Sequence, residues 1–277
     1  MSDDNHQSEQ DQTQPTEKKP ATQITEFESE TSSPSTFESR KKKSERVVLI
    51  VGGIFLILVI VIPLILMIPD FRQEREATRR SAAKHNLKNL ALVLHNYYDE
   101  QGTFPPGATE TPEGLPLHSW QTAILPYIDE LNLYQRIDLE QPWNADINKP
   151  HFQKVISYYL IPGNDLTKSA DGYGLTHYVG NELVLKKNSG ISPYQIPDGS
   201  SETILILEAG ENFKPWGDPT SIAKPYDVFG SDHKSPMVGG THAVYADGSV
   251  RFLSENIDPD ILKAISTPDG GEVIGEF

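Results

Sequence analysis

The chain falls into three stretches with different patterns of hydrophobic and polar positions. Residues 1–46 are mostly polar, whereas Val47–Ile68 is a run of 22 residues without a single charge. At about 1.5 Å per residue, a helix of that length crosses the ~30 Å hydrocarbon core of a bilayer. Residues 47–68 are therefore predicted to form one transmembrane helix, which tolerates Pro63 within it.

Beyond the apolar run, the periodicity changes to that of an amphipathic helix. Apolar side chains recur at steps of three and four residues, which places them on one face of a helix. They are Leu87, Leu90, Ala91, Leu94, Tyr97 and Tyr98. Gly102 predicts the end of this helix, and Pro105 and Pro106 prevent its continuation. Residues 69–102 are thus predicted to form a stem helix whose apolar stripe needs a globular partner.

Residues 103–277 are enough for one compact head domain. Residues 119–137 predict short helices with Pro126 at a helix start, and segments 154–162, 175–185 and 202–210 have the composition of strands. Residues 242–253 predict a hairpin with a type I′ turn at Asp247-Gly248. Asp258 and Pro259 predict the start of a last helix. This order favours an α+β head with an antiparallel sheet.

The distribution of charged residues predicts a disordered N-terminal tail and excludes nucleic-acid binding. Residues 1–39 carry nine acidic and two basic side chains and only two aromatic ones, so this segment is predicted to be disordered. Together with the basic cluster at residues 40–46, it forms a predicted N-terminal tail of residues 1–46. The formal net charge of −15 is unsuited to binding phosphate backbones. The chain has no cysteine, which excludes disulfides and thiolate metal sites.

The orientation in the membrane is predicted from the positive residues that flank the span. Five Lys and Arg side chains lie within residues 40–46, and five others are spread over residues 72–84. The first cluster is tighter and precedes the span, which favours a cytoplasmic N-terminus. The expected location is the cytoplasmic (inner) membrane, with a single pass and an extracytoplasmic head.

Several stretches, taken together, resemble one bacterial and mainly planctomycete family, the domain of unknown function 1559. They are "REATRRSAAKHNLKNLALVLHNYYDEQGTFPPG", "SWQTAILPYIDELNLYQRID", "PWN", "THYVGN", "IPDGSSETILILEAGE" and "YADGSVRFLSENID". Members of that family look like pilins and pseudopilins. The resemblance therefore implies a hydrophobic N-terminal helix that continues as a stem, with a small α+β head packed on it.

The chain departs from the family pattern at three places. The Gly and Glu of a prepilin cleavage site are missing at the matching positions, Val47 and Gly52. Met237 stands where family members usually carry a His, and Ile161-Pro162 replaces a common Cys-Pro pair. An uncleaved membrane anchor is therefore expected.

Candidate chemistry is sparse. No zinc-protease, nucleophile-elbow, phosphate-loop or EF-hand pattern occurs, so no catalytic residue is predicted. Asp227, Asp232 and His233 are the candidates for a calcium or other divalent-metal loop, since hard cations take several oxygen ligands. The alternative is ordinary turn chemistry beside Gly230. His177 and His242 fall on predicted strands, where a hydrogen-bonded structural role is favoured.

Aromatic residues near glycines and prolines are open to two interpretations. They are Trp120, Trp143, Tyr173, Trp216 and Tyr226. They either stack on glycans or protein partners, or they fill the core between stem and head.

Three function classes therefore remain. The favoured one is a non-enzymatic, membrane-anchored, pilin-like structural or interaction protein of the cell envelope, without a cofactor. Such a protein would contact the bilayer through residues 47–68. Through its stem it would bind other proteins or further copies of the same chain. The alternatives are a calcium- or glycan-binding surface module and an extracytoplasmic hydrolase.

Overall fold

The computed structural model describes the backbone of residues 34–272 and the side chains of residues 38–65 and 74–272. Contacts divide the chain into two compact units, residues 1–65 and residues 66–277. Residues 1–33 of the predicted disordered segment lie outside the described residues. Its last part, residues 34–39, is helical.

The first unit is helical throughout its described part. Helix α1 (Pro34–Leu56) is followed by a π-helical segment (Ile57–Val61) and by the start of α2 (Ile62–Gln101). The π turn directly precedes Pro63, which has no N–H to donate to the preceding turn, and such irregularities commonly accompany a proline in a helix. Glu38–Ile65 is long and apolar enough to cross a membrane, and none of its most apolar window is buried.

Helix α2 supplies the predicted stem. It ends at Gln101, and the N–H of Gly102 donates to the Tyr98 carbonyl at 2.7 Å. Leu87, Leu90 and Leu94 are fully buried in one core cluster with head residues, and Tyr97 and Tyr98 pack against it. The predicted contact between the stem stripe and the head of the same chain is confirmed.

The head contains the small sheets expected of an α+β fold. Its central sheet has the order β7-β4-β5-β8-β9, and β1 with β2 and β3 with β6 form two-stranded sheets. The strands are β1 (Ala108–Glu110), β2 (Pro116–Ser119), β3 (Leu175–Thr176), β4 (Tyr178–Asn181), β5 (Ile204–Glu208), β6 (Lys214–Pro215), β7 (Ile222–Ala223), β8 (Gly240–Tyr245) and β9 (Val250–Ser254). The pairing is antiparallel except that the short edge strand β7 runs parallel to β4.

Short helices connect the strands. They are α3 (Trp120–Ala123), α4 (Leu131–Tyr134), α5 (Lys149–Phe152) and α6 (Pro259–Ala264), with 3-10 turns at Leu125–Tyr127, Ser157–Tyr159, Pro193–Gln195 and Pro225–Asp227. The predicted helices within residues 119–137, including the proline at a helix start, are confirmed. Helix α6 begins as predicted, because the Asp258 carboxylate accepts the N–H of Asp260 at 2.8 Å.

The central sheet separates two cores. One face packs on the stem, through residues such as Ile206 and Val244. The other face holds Ile204, Leu207 and Tyr245 together with Leu262 and Ile265 of the last helix and its end. The head is therefore layered, with the stem on one side of the sheet and α6 on the other.

Two local predictions were wrong. Residues 154–162 do not form a strand. Ile156, Tyr159 and Ile161 are buried around a 3-10 turn, and the backbone is held by separate bonds such as that from the Ile161 N–H to Nδ1 of His177, at 2.9 Å.

The β8–β9 turn is not type I′, which needs positive φ at both central residues. Of Asp247 and Gly248 only the glycine has positive φ, at 85°. The Tyr245 N–H donates to the Ser249 carbonyl, which leaves a three-residue loop whose last residue is the left-handed glycine.

Candidate functional site

A cleft of about 230 Å³ lies beside the β7 edge of the central sheet. Its partly buried apolar side chains include Val179, Ile222 and Val228, which come from β4, from β7 and from the turn after Pro225–Asp227. The lining also includes four Glu, Asp, Lys or His side chains, and three of them are exposed. They are Glu211, Lys214, Asp227 and the partly buried His233. A cleft that joins apolar walls to a few polar groups is the usual form of a small-ligand site.

A buried polar network holds the back of this cleft in place. Gln121 of α3 is fully buried, and its Oε1 accepts the Ser221 hydroxyl at 2.9 Å. Its Nε2 donates to the Thr176 hydroxyl at 3.2 Å. Both Ser221 and Thr176 line the cleft. Because a satisfied buried network fixes the groups that it joins, these two walls are tied to one another.

Phe213 forms another wall and rests on His177, with ring centroids 4.2 Å apart. Nδ1 of His177 accepts the Ile161 N–H, so Nε2 carries the proton and donates to the Leu166 carbonyl at 2.7 Å. Burial lowers the pKa of His177, although the Leu166 carbonyl favours the protonated ring. With both nitrogens engaged, His177 supports Phe213 and has the structural role expected from the sequence.

The three candidate metal ligands are only partly brought together. Asp227 and His233 line the cleft, whereas Asp232 does not. Among the residues that the structure describes, no three His, Asp or Glu side chains are close enough to hold a metal ion. The cleft therefore presents two acidic and two basic groups on its wall rather than a set of converging oxygen ligands.

A buried Glu–His pair lies elsewhere, on the stem side of the sheet. Oε2 of Glu208 accepts the backbone N–H of His242 at 3.0 Å and lies 3.2 Å from Nδ1 of the same residue. Oε1 of Glu208 is buried without a hydrogen-bond partner. Both side chains are almost completely buried, so neither can touch a substrate from solvent. The sequence signal was available, since Glu208 ends an otherwise apolar strand, but its partner depends on strand pairing.

Tyr178, across the strand pair from Glu208, joins this region to the stem. Burial, followed by the negative charge of Glu208, raises the pKa of Tyr178. Its hydroxyl accepts from Nδ2 of Asn86, a stem residue, at 2.9 Å. The same amide donates to the Leu160 carbonyl at 3.0 Å. Polar contacts as well as buried leucines therefore hold the stem against the head.

The aromatic candidates divide by burial. Trp120 and Trp216 are fully buried in the core that includes the stem, which confirms the packing interpretation for these two. Trp143 is partly exposed and meets the nearly buried Tyr173 edge to face, with centroids 4.8 Å apart. Tyr226 is also partly exposed. Trp143 and Tyr226 are the two of the five candidates with the most ring surface left for stacking on a ligand.

Comparison with known proteins finds one family model that matches part of the chain, and that model has no assigned activity. Residues 72–182 match the family model described as "Protein of unknown function (DUF1559)". The match begins in α2 and extends through β4, so it includes the stem and the first half of the head. No curated protein and no solved structure matches the chain.

Proposed function

We propose, on the premise that this chain belongs to the DUF1559 family through residues 72–182, that it is a single-pass membrane protein that carries a non-enzymatic interaction module outside the cytoplasm. The observation that supports this most is the burial of the stem stripe in the head of the same chain. Ala83, Leu87, Leu90 and Leu94 have no exposed surface, so α2 from about residue 83 onward is part of the head.

This packing favours display of the head over assembly through the stem. Within residues 74–101, the part of the stem whose side chains the structure describes, Leu92 is the one exposed large apolar side chain, at 62%. A pilin-like stem that built fibres would need an apolar face for its neighbours. A single exposed leucine is ordinary on a protein surface. The proposed partner is therefore a molecule that binds the head, rather than a second stem.

Two of the histidines, His177 and His242, support a non-enzymatic role. His177 uses both ring nitrogens in structural hydrogen bonds, and His242 is buried against Glu208. A general base must come within hydrogen-bond reach of its substrate proton. Buried and engaged in this way, neither residue is suited to that task.

The absence of cysteine allows a direct test of topology. Ser8→Cys would mark the tail, and Glu113→Cys would mark an exposed turn of the head. With intact spheroplasts, a membrane-impermeant maleimide should label Glu113→Cys and should label Ser8→Cys only after permeabilisation. The reverse pattern would place the head in the cytoplasm and contradict the proposal.

Leu92, the exposed leucine of the stem, allows a test of whether stems of different chains contact one another. Under mild oxidation, the Leu92→Cys chain should remain monomeric, because stems do not meet in the proposed arrangement. A disulfide-linked dimer formed in native membranes would instead support self-association through the stem.

A second candidate function is binding of a small polar ligand, with calcium or a glycan as the first to examine, in the cleft that Asp227 and His233 line. Calcium chloride or envelope oligosaccharides should then raise the melting temperature of the full chain, because a ligand that binds only the folded state stabilises it. Asp227→Asn should abolish that shift. Asp232→Asn, outside the cleft, is the matched control.

A further inference from the structure

An unusual surface surrounds the membrane-side part of the stem. We define it as the basal rim, which comprises Arg75, Arg79 and Arg80 of α2 together with Val238 and Phe252 of the head. Val238 is 67% exposed and Phe252 is 41% exposed. Two exposed apolar side chains beside three arginines are typical of a surface that meets a lipid interface.

Arg80 connects the apolar and basic parts of the rim. Its guanidinium lies over the Phe252 ring, 4.9 Å from the centroid. One of its terminal nitrogens donates to the Val238 carbonyl. Val238 and Phe252 are therefore held beside the membrane-side turns of the stem and not at its far end.

Arg79 lies against the head in a similar way. It donates to the Pro236 carbonyl at 3.3 Å, and its side chain packs next to Gly163. An open groove of about 440 Å³ runs between the stem and the Pro162–Gly163 loop, and its stem wall consists of Glu74, Arg75, Thr78, Arg79 and Ala82. Arg75 itself is exposed. The rim thus has one arginine that projects into solvent and two that are positioned by backbone carbonyls.

The position of the rim along α2 is close to the end of the apolar run. Arg75 and Arg80 follow Ile68 by seven and 12 residues, or by about 10 and 18 Å of helix. Helical side chains lean toward the N-terminus of their helix, which is the membrane side here. The polar headgroup layer extends roughly 5–8 Å beyond the hydrocarbon core. Arg75 is therefore within the length of its own side chain of that layer.

The charge of the rim selects the kind of lipid. Residues 72–84 contain five basic and two acidic side chains, whereas the whole chain has a net charge of −15. In the groove, Glu74 lies on the stem wall with Arg75 and Arg79, and Pro162 and Gly163 on the head side add no charge, so the basic side chains outnumber the acidic one. Arginine is well suited to phosphate groups, which it can bind through two parallel hydrogen bonds.

We propose that the basal rim docks onto the anionic headgroups of the bilayer that anchors the chain. Arg75, Arg79 and Arg80 contact lipid phosphates, and Val238 and Phe252 enter the interfacial layer. The head then lies against the membrane instead of standing free above it. This inference rests on the proposed membrane anchoring, and the test below separates the two.

The test uses the full chain in nanodiscs of phosphatidylcholine alone or of equimolar phosphatidylcholine and phosphatidylglycerol. A polarity-sensitive fluorophore on Val238→Cys reports the environment of the rim. Tyr194→Cys is the reference label, because Tyr194 is 91% exposed and lies close to the Phe104–Ile191 backbone contact, just beyond the far end of the stem.

The emission at position 238 should shift to the blue in the anionic nanodiscs and return toward its aqueous value at high salt, since salt screens exposed charges. The emission at position 194 should be the same in both lipids. A probe at 238 that stays in water in both lipids, or shifts equally in both, overturns the proposal. A shift produced in phosphatidylcholine nanodiscs by inorganic phosphate alone would indicate a free-anion site and would also overturn it.

Variants at Arg75 examine the role of charge with little risk to folding. Arg75→Gln should reduce the ratio of docked to undocked heads about fivefold, the usual contribution of one arginine at an anionic surface. Arg75→Lys should keep most of the shift, and Lys88→Gln, exposed further along the same helix, should keep all of it. Equal behaviour of Arg75→Gln and Lys88→Gln would overturn the electrostatic contact. A chain that does not enter nanodiscs contradicts the anchoring as well, whereas one that enters without docking contradicts only this inference.

Discussion

At the scale of single residues, neighbouring positions of the stem differ sharply in environment. Leu94 has no exposed surface and packs in the core that contains Trp120 and Leu125, whereas Leu92 on the same helix is 62% exposed. These two leucines therefore form a matched pair for measuring how much the stem contributes to the stability of the head.

Leu94→Ala should lower the free energy of unfolding of the head by about 2–5 kcal/mol, because it removes a buried side chain and leaves a cavity. Leu92→Ala should change it by less than about 0.5 kcal/mol. Thermal unfolding of the full chain in detergent, followed by the near-ultraviolet dichroism of the buried tryptophans, measures both. Equal melting temperatures would mean that the stem does not stabilise the head.

His118 predicts a dependence of stability on pH. It is 3% exposed and stacks on Phe152, and neither ring nitrogen makes a hydrogen bond of normal geometry. Burial lowers its pKa from the ordinary 6.5, although the carbonyls of Asp138 and Gln141 favour the protonated ring. The unfolded chain therefore takes up a proton near pH 6.5 that the folded chain does not bind until lower pH, so stability is lost as the pH falls below that value.

His118→Phe should remove part of this loss while keeping the ring stacked on Phe152. Urea unfolding of the full chain at about pH 7 and about pH 5.5 should show a smaller decrease of stability for the variant than for the parent chain. Parallel decreases in the two chains would show that His118 does not contribute to the acid sensitivity.

At the scale of elements, local signals predicted ends and turns better than strands. Gly102, Pro126 and Asp258 marked helix ends and starts that the structure confirms. The apolar, β-branched segment at residues 154–162 forms a 3-10 turn instead, because its carbonyls and N–H groups bond to stem and strand side chains. One example is the bond from Asn86 to the Leu160 carbonyl. Composition alone cannot distinguish a buried turn from a buried strand.

The cap of α6 should be needed for the second core. The Asp258 carboxylate accepts the Asp260 N–H, and Leu262 of this six-residue helix is buried against the sheet. Asp258→Ala should cost about 1 kcal/mol, the usual effect of losing an N-cap. Asp258→Asn keeps an acceptor and should cost much less. Urea titration of the full-length variants measures the difference, and equal losses for the two would assign the effect to charge instead of capping.

At the scale of the whole molecule, residues 72–182 match the DUF1559 model, and one apolar helix before them is long enough to cross a membrane. The missing prepilin Gly and Glu at Val47 and Gly52 predict that the tail stays attached to the anchor. The intact mass of protein extracted from membranes should then include residues 1–46. A mature N-terminus near Val48 would show that prepilin-type processing occurs despite the altered motif.

The candidate cleft could be predicted only in part. The sequence identified Asp227 and His233 as residues of interest, and both line the cleft. It could not identify Glu211, which lies in the loop before β6, or Lys214, the first residue of β6, both of which line the same cleft. Nor could it predict the Gln121 network, because its bonds to Thr176 and Ser221 join residues 55 and 100 positions apart.

The sequence by itself determined the features that depend on neighbouring residues. The long apolar helix follows from an uncharged run, the stem stripe from a repeat of three to four residues, and the β8–β9 hairpin from alternation around Asp247-Gly248. Tertiary structure alone decided the parallel pairing of β7 with β4, the burial of Glu208 against His242, the cleft and the basal rim. Each of these depends on contacts between segments far apart in the chain. Such contacts are selected by the packing of the whole core, so no short window of residues contains the information that specifies them.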